Sequence, residues 1–147
     1  MANALDDKGE NQEAARRGLR TPMATAMKIA QALIGLAGLA LIGLGFAFWS
    51  GSALGFVPLH EQLGIFIVLA LWVLAGIGVV YGLNRVRLAV AVLWGFIVIG
   101  FGFAQTGMMV GDMHWVIRIL HLLVGLAALA LASILAKEIA VKSGTRR

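Results

Sequence analysis

Four long hydrophobic stretches dominate the chain, separated by short polar segments. They cover about residues 29–49, 60–83, 88–106 and 114–136. Each is too long for a β-strand and lacks the alternation of polar and apolar positions that half-buried strands show. About 20 helical residues, at about 1.5 Å each, cross the ~30 Å hydrocarbon core of a membrane. The pattern therefore predicts four transmembrane helices, here called spans one to four.

The composition agrees with this prediction. Of the 147 residues, 61% are hydrophobic and 13% are charged, whereas a soluble domain carries about 25% charged residues. Within lipid, a helix satisfies its own backbone hydrogen bonds. We therefore expect an all-α integral membrane protein, an up-down-up-down four-helix transmembrane bundle. The absence of cysteine excludes disulfides and thiolate metal sites.

Polar segments flank the four spans. Residues 1–23 are polar and of mixed charge, which is typical of a flexible tail. Residues 24–138 hold the four spans and form the predicted transmembrane domain. Residues 139–147 form a second, basic tail. We expect both tails to lie in the cytoplasm, for the reason given next.

The distribution of basic residues predicts the topology. Of the twelve Lys and Arg residues, five precede span one, two lie between spans two and three, and four follow span four. The twelfth, Arg118, lies inside span four. The segments 50–59 and 107–113 contain none. This is the positive-inside asymmetry, which places both termini in the cytoplasm of a multi-pass protein in a bacterial-type inner (plasma) membrane. The net charge of +5 then faces anionic lipid, and nucleic acid is not an expected partner.

Each span carries one face of small or polar residues at helical spacing. Small residues mark helix–helix contacts in lipid, and polar side chains turn away from the lipid tails. We therefore expect these faces to meet inside the bundle, with the three histidines and Arg118 among them. From span one to span four they comprise Gln31, Gly35, Gly38, Ile42, Gly45, Trp49; His60, Gly64, Leu71, Ala75, Gly78, Gly82; Arg87, Ala91, Gly95, Val98, Gly102, Gln105; and His114, Arg118, His121, Gly125, Ala128, Ala132, Ala136.

The histidines suggest a cofactor. Haem b takes axial imidazoles from facing helices, and its flat ring needs space that glycine provides. His60 is followed one turn later by Gly64, and His121 is followed one turn later by Gly125. Two of the three histidines are the predicted ligands of the haem iron. His60 would pair either with His114, which matches it in depth, or with His121, which is more deeply buried.

Arg118 offers a cation for the haem propionates. A charged residue inside a span usually faces the protein interior. The plainer alternative is that Arg118 reaches lipid phosphate or pairs with Glu61. A histidine and an arginine near the outer interface would also suit the carbonyl oxygens of a quinone.

In span count and in the histidines at the outer helix ends, the chain resembles the small four-helix haem b cytochromes of membranes. Those proteins usually carry histidines on more helices, whereas spans one and three have none here, so one haem is expected rather than two. From the histidines, their neighbouring glycines and Arg118, we expect a small membrane redox protein that binds haem b near the outer face, with quinone as a candidate electron partner.

Two other functions remain open at this point. The chain would serve equally as a cofactor-free accessory or assembly subunit, with other membrane subunits or further copies of itself as partners. A small transporter or channel is the third alternative, although the almost wholly apolar inner half makes a continuous pore hard to build. The sequence has no phosphate-binding loop, nucleophile elbow or acid pair, and it assigns no catalytic residue.

Overall fold

The computed structural model describes the backbone of residues 3–145 and the side chains of residues 25–143. Each of the four long helices contains a segment long and apolar enough to cross a membrane. The prediction of an all-helical chain with four candidate membrane spans is thus confirmed. The helices are α1 (Asn3–Trp49), α2 (Val57–Val80), α3 (Arg85–Ala104) and α4 (His114–Thr145), with single 3-10 turns at Leu54–Phe56 and Gln105–Gly107.

Two helices extend beyond the predicted spans. Helix α1 begins at Asn3 and α4 continues to Thr145, so helical backbone runs through segments that the sequence predicted as tails. Ala, Glu, Gln and Arg, which have high helix propensity, make up much of residues 10–20. The division into a flexible tail at residues 1–23, a domain at 24–138 and a basic tail at 139–147 stays a prediction.

Helices α2 and α4 form the centre of the bundle. Each of them contacts the other three helices, whereas α1 and α3 do not contact each other within the described residues. Leu71 and Ala75 of α2 and Ala132 and Leu135 of α4 are at most 3% exposed. These core positions, except Leu135, belong to the faces of small and polar residues that the sequence predicted to point inward.

Two tryptophans connect neighbouring helices within the apolar part of the bundle. The Trp72 indole N–H donates to the Val92 carbonyl oxygen at 3.1 Å, and the Trp94 indole N–H donates to the Val124 carbonyl oxygen at 3.0 Å. The Trp72 ring passes directly over Gly95, where any Cβ would overlap it. Glycine at this position therefore permits the close approach of α2 and α3.

Polar contacts hold one end of the bundle, which we call the arginine end, at the turn between α2 and α3. Arg87 forms an ion pair with Glu138 of α4. Lys142 of α4 donates to the carbonyl oxygen of Gly82 in the turn, and the Asn84 side chain caps α3. The opposite end, where α2 and α4 begin, contains the three histidines and is called the histidine end.

Candidate functional site

A cavity of about 420 Å³ opens at the histidine end, and side chains from all four helices line it. Its walls are mostly apolar, with a few polar groups at one end, which is the usual character of a ligand site. Every site residue that the sequence predicted lines this cavity: His60, Gly64, His114, Arg118, His121 and Gly125.

Two of the three histidines face each other across the bundle. The ring centres of His60 on α2 and His121 on α4 are 6.1 Å apart, and the ring planes are inclined by 38°. The Nδ1 atoms of both rings are buried and have no hydrogen-bond partner within the described part of the chain. A buried imidazole nitrogen normally has a hydrogen-bond partner or a metal, so this pair is the most unusual polar feature of the bundle.

Glycines on the other two helices leave room for these rings. A Cβ built on Gly45 of α1 would lie 3.9 Å from Cε1 of His60. A Cβ built on Gly102 of α3 would lie 3.8 Å from Cε1 of His121. Both glycines belong to the faces that the sequence predicted to point inward. Because they have no side chain, the helix backbone packs close to the imidazole at each position.

Two phenylalanines that sequence reasoning missed pack against the histidines. Phe48 meets His60 edge to face, with ring centres 5.4 Å apart and planes at 65°. Phe101 stacks on His121, with centres 6.1 Å apart and planes at 20°. Both belong to helices without a histidine. Phe48 follows Gly45 by about one helical turn, which was a usable signal, whereas Phe101 only neighbours Gly102 in sequence.

Open space lies beside the histidine pair. Gly64 and Gly125 follow His60 and His121 by one helical turn, and both line the cavity. A Cβ added to either glycine would meet no atom within 4 Å. The histidine pair is therefore bordered on both helices by volume that any larger side chain would fill.

His114 belongs to a different set of contacts. Its Nδ1 atom is 3.0 Å from the carbonyl oxygen of Met108. Among residues 25–143, the aromatic ring that packs against His60 from α4 is that of His121, not that of His114. Helix α2 begins at Val57, so His60 lies about one turn inside the helix, whereas His114 is the first residue of α4. The structure therefore pairs His60 with the more deeply placed of its two predicted partners.

Arg118 is exposed and also lines the cavity. Within the part of the chain whose side chains are described, it forms no ion pair with Glu61 or with any other carboxylate. The sequence alternative in which Glu61 neutralises Arg118 thus has no support in the geometry. The guanidinium remains available to an anion at the cavity mouth.

The histidine pair offers too few ligands for a bare metal ion. Catalytic zinc sites use three protein ligands and structural sites use four. Among the described side chains, no group of three or more His, Cys, Asp or Glu residues is close enough to hold an ion. Haem iron needs from the protein only axial ligands such as histidine.

The chain matches no known family model, and no curated protein or solved structure is significantly similar to it. A helical bundle by itself hosts many unrelated activities, so function has to be inferred from specific residues and their geometry. At the histidine end, the relevant features are the Nδ1 atoms of His60 and His121 and the guanidinium of Arg118, none of which has a partner among residues 25–143, and the free volume beside the two rings.

Proposed function

We propose that this protein is a small membrane redox protein that binds one haem b near the outer face of a bacterial-type inner membrane. His60 and His121 would hold the haem iron through their imidazoles, and His114 would not. Gly64 and Gly125 leave the space for the porphyrin. The observation that carries the proposal is the opposed pair of imidazoles, which have unpartnered nitrogens and come from two different helices.

The separation of the two rings suits a shared metal. Two imidazoles bound to one ion at about 2.0–2.1 Å have ligating nitrogens about 4 Å apart, and their ring centres lie ~2 Å farther apart than that. The ring centres of His60 and His121 are 6.1 Å apart. Either ring nitrogen of a histidine can bind a metal, so this separation of the ring centres is compatible with two imidazoles on one ion.

The surroundings of the pair also suit haem. The cavity of about 420 Å³ lies within the range of roughly 300–1000 Å³ that is common for cofactor pockets. Phe48 and Phe101 cover the imidazoles with apolar surface and exclude water from them. Arg118 stands at the open edge, where its positive charge would bind and neutralise a propionate.

Haem iron with two histidine ligands takes up and releases single electrons. The side chains of this protein would determine where that happens, because His60 and His121 would hold the group near one end of the bundle and Arg118 would be available to its propionates. A lipid-soluble quinone is the electron partner that we propose, because it reaches the open edge of the cavity from within the bilayer.

The orientation in the membrane follows from the charges at the two ends. Arg85, Arg87, Lys137 and Lys142 lie at the arginine end, and the segments 50–59 and 107–113 at the histidine end contain no Lys or Arg. The positive-inside rule then assigns the arginine end to the cytoplasm. We propose an up-down-up-down topology with both termini cytoplasmic and the histidine pair near the outer surface.

An absorption spectrum of the purified protein tests the function directly. We expect one haem per chain, either as isolated or after haem is supplied, with the sharp reduced α band of iron that has two strong axial ligands. Chemical reduction and reoxidation by a quinone analogue should be reversible. A folded protein that shows no Soret absorption after haem supplementation would overturn the proposal.

A further inference from the structure

The segment between α3 and α4 contains a second group of chemically distinctive side chains. Met108, Met109 and Met113 are three of the six methionines in the chain, and they lie within six consecutive residues just before His114. All three are exposed, by 40%, 47% and 52% respectively, and none of them lines the cavity beside the histidine pair. Core packing therefore does not explain why these positions hold methionine.

Hydrogen bonds close this segment into a compact loop. The Met108 carbonyl oxygen is 3.0 Å from Nδ1 of His114. The backbone N–H of His114 donates to the Gly111 carbonyl oxygen at 3.0 Å. Met109 has a left-handed backbone with φ of 46°, which is uncommon for a residue other than glycine. The three exposed methionines and the half-buried His114 thus belong to one closed loop of residues 108–114.

The hydrogen bond to Met108 determines which nitrogen of His114 is available. A carbonyl oxygen can only accept a hydrogen bond, so Nδ1 of His114 carries the proton and donates it. In the neutral ring, the lone pair then resides on Nε2. Such an orienting bond on one ring nitrogen is what usually accompanies metal binding by the other.

Thioether sulfur is a soft ligand that selects soft ions. Methionine and cysteine favour Cu(I), whereas carboxylate and carbonyl oxygens favour Mg²⁺, Ca²⁺ and Mn²⁺. The unbranched methionine side chain has three rotatable bonds, which allows neighbouring methionines in a loop to direct their sulfur atoms to one point. Asp112 is the single carboxylate in this loop, so a hard cation has little to bind.

We propose that Met108, Met109, Met113 and His114 form a binding site for Cu(I), with three thioether sulfurs and Nε2 of His114 as ligands. The site uses no residue that we propose to hold the haem, although His114 also lines the cavity beside the histidine pair. The competing explanation is that the loop lies in the membrane interface and contacts lipid. The apolar Val110 in the same loop is 80% exposed, which fits that explanation. That explanation requires apolar side chains but not sulfur.

Silver(I), a soft ion of the same charge that does not change oxidation state, is the first probe. The full chain, with its methionine methyl groups labelled with ¹³C, is placed in lipid nanodiscs and titrated with Ag(I). We expect the methyl signals of Met108, Met109 and Met113 to shift and saturate at one ion per chain, while the signal of buried Met27 stays in place. Unchanged loop signals, or equal shifts of all methionines, would overturn the site.

Leucine substitutions then separate sulfur chemistry from membrane contact. In competition with the Cu(I) chelator bicinchoninate under reducing conditions, the triple variant Met108→Leu, Met109→Leu, Met113→Leu should bind Cu(I) at least about tenfold more weakly than the wild type. Leucine keeps the apolar volume, so a loop that merely contacts lipid would give no difference, and that result would refute the proposal. Met27→Leu is the matched control and should bind as the wild type does.

Independence from the haem is tested in the same assay. His121→Ala removes a proposed iron ligand but no loop residue, so Cu(I) binding should persist in it. Loss of Cu(I) binding in a folded His121→Ala protein would mean that the histidine pair, rather than the methionine loop, holds the ion. The failure of one proposal is therefore distinguishable from the failure of the other.

Discussion

The imidazole rings of His60 and His121 lie 6.1 Å apart at an inclination of 38°, although they belong to different helices. The Nδ1 atom of each is buried without a partner among the described residues. Two unpaired nitrogens in an apolar interior are costly, because each loses its hydrogen bonds to water. The arrangement is readily understood if both rings bind a shared ligand.

The first prediction compares the three histidines. His60→Ala and His121→Ala should each lower haem affinity strongly. Loss of a residue that only hydrogen-bonds to a metal ligand already costs roughly 10–100-fold in affinity, and loss of a ligand should cost at least as much. His114→Ala should retain haem and its low-spin spectrum, because Nδ1 of His114 is bound to the Met108 carbonyl oxygen. The measurement is a haem titration followed by Soret absorption. Equal haem loss in all three variants would contradict the assigned pair.

The second prediction concerns the free volume beside the pair. Gly64→Leu should fill the space below His60, where a Cβ meets nothing within 4 Å, and should abolish haem binding while the helices still form. Gly125→Leu should act in the same way from α4. Haem content per chain, measured with circular dichroism as the folding check, decides the outcome.

A matched control for those variants lies on the same helix. Gly76 of α2 also has no atom within 4 Å of a built Cβ, but it is exposed and lies outside the cavity. Gly76→Leu should therefore leave haem binding unchanged. If Gly76→Leu and Gly64→Leu lost haem equally, the effect would reflect helix disruption rather than occupation of the site.

The sequence predicted much of this site because membrane helices obey a simple rule. Small and polar residues turn inward in lipid, so helical spacing alone placed His60, Gly64, His121 and Gly125 on inward faces. The same rule identified the core positions Ala75 and Ala132, which are 3% and 0% exposed. The four candidate spans followed from length and hydropathy.

Other features depend on distances that spacing does not encode. Residue counting along the spans placed His60 at the same depth as His114. Helix α2 begins at Val57, so His60 lies about one turn inside its helix, and the hydropathy pattern did not predict that turn. The packing of Phe48 and Phe101 on the imidazoles requires knowledge of which helices are neighbours. The helical backbone of residues 3–24 does not follow from the hydropathy pattern, because those residues are polar and of mixed charge.

The third prediction concerns the orientation of the bundle. The chain has no cysteine, so any maleimide labelling of a single-cysteine variant must occur at the introduced thiol. Ser52→Cys, in the exposed turn after α1, should react with a membrane-impermeant maleimide in intact cells. Ser143→Cys, near the arginine end, should react only after the membrane is permeabilised. Reaction of both thiols, or of Ser143→Cys alone, in intact cells would contradict the assigned topology.

The fourth prediction concerns the cation at the cavity mouth. Arg118 is exposed in the isolated bundle, and an ion pair of an exposed arginine is worth about 1 kcal/mol, or roughly fivefold in haem affinity. Arg118→Gln should show that loss, and Arg118→Lys should recover most of it. Raising the salt concentration should weaken haem binding in the wild type more than in Arg118→Gln. Identical salt dependence would mean that Arg118 does not contact the propionates.

The last prediction concerns the contact that brings α2 and α3 together. Gly95→Ala places a methyl group where the Trp72 indole lies, so Trp72 must move and give up its hydrogen bond to Val92. Overpacking of this kind costs about 1–3 kcal/mol. We therefore expect a lower midpoint of unfolding in SDS, followed by circular dichroism, than for the wild type.

Two further variants isolate this contact. Gly76→Ala, which has open space around the added Cβ, should not lower the midpoint, because the methyl group overlaps nothing and alanine has the higher helix propensity. In a Trp72→Phe background the smaller ring leaves room, so Gly95→Ala should cost clearly less than it does in the wild type. If the two substitutions lowered the unfolding midpoint additively, the two residues would not interact. Gly95 would then not be needed to accommodate the Trp72 indole.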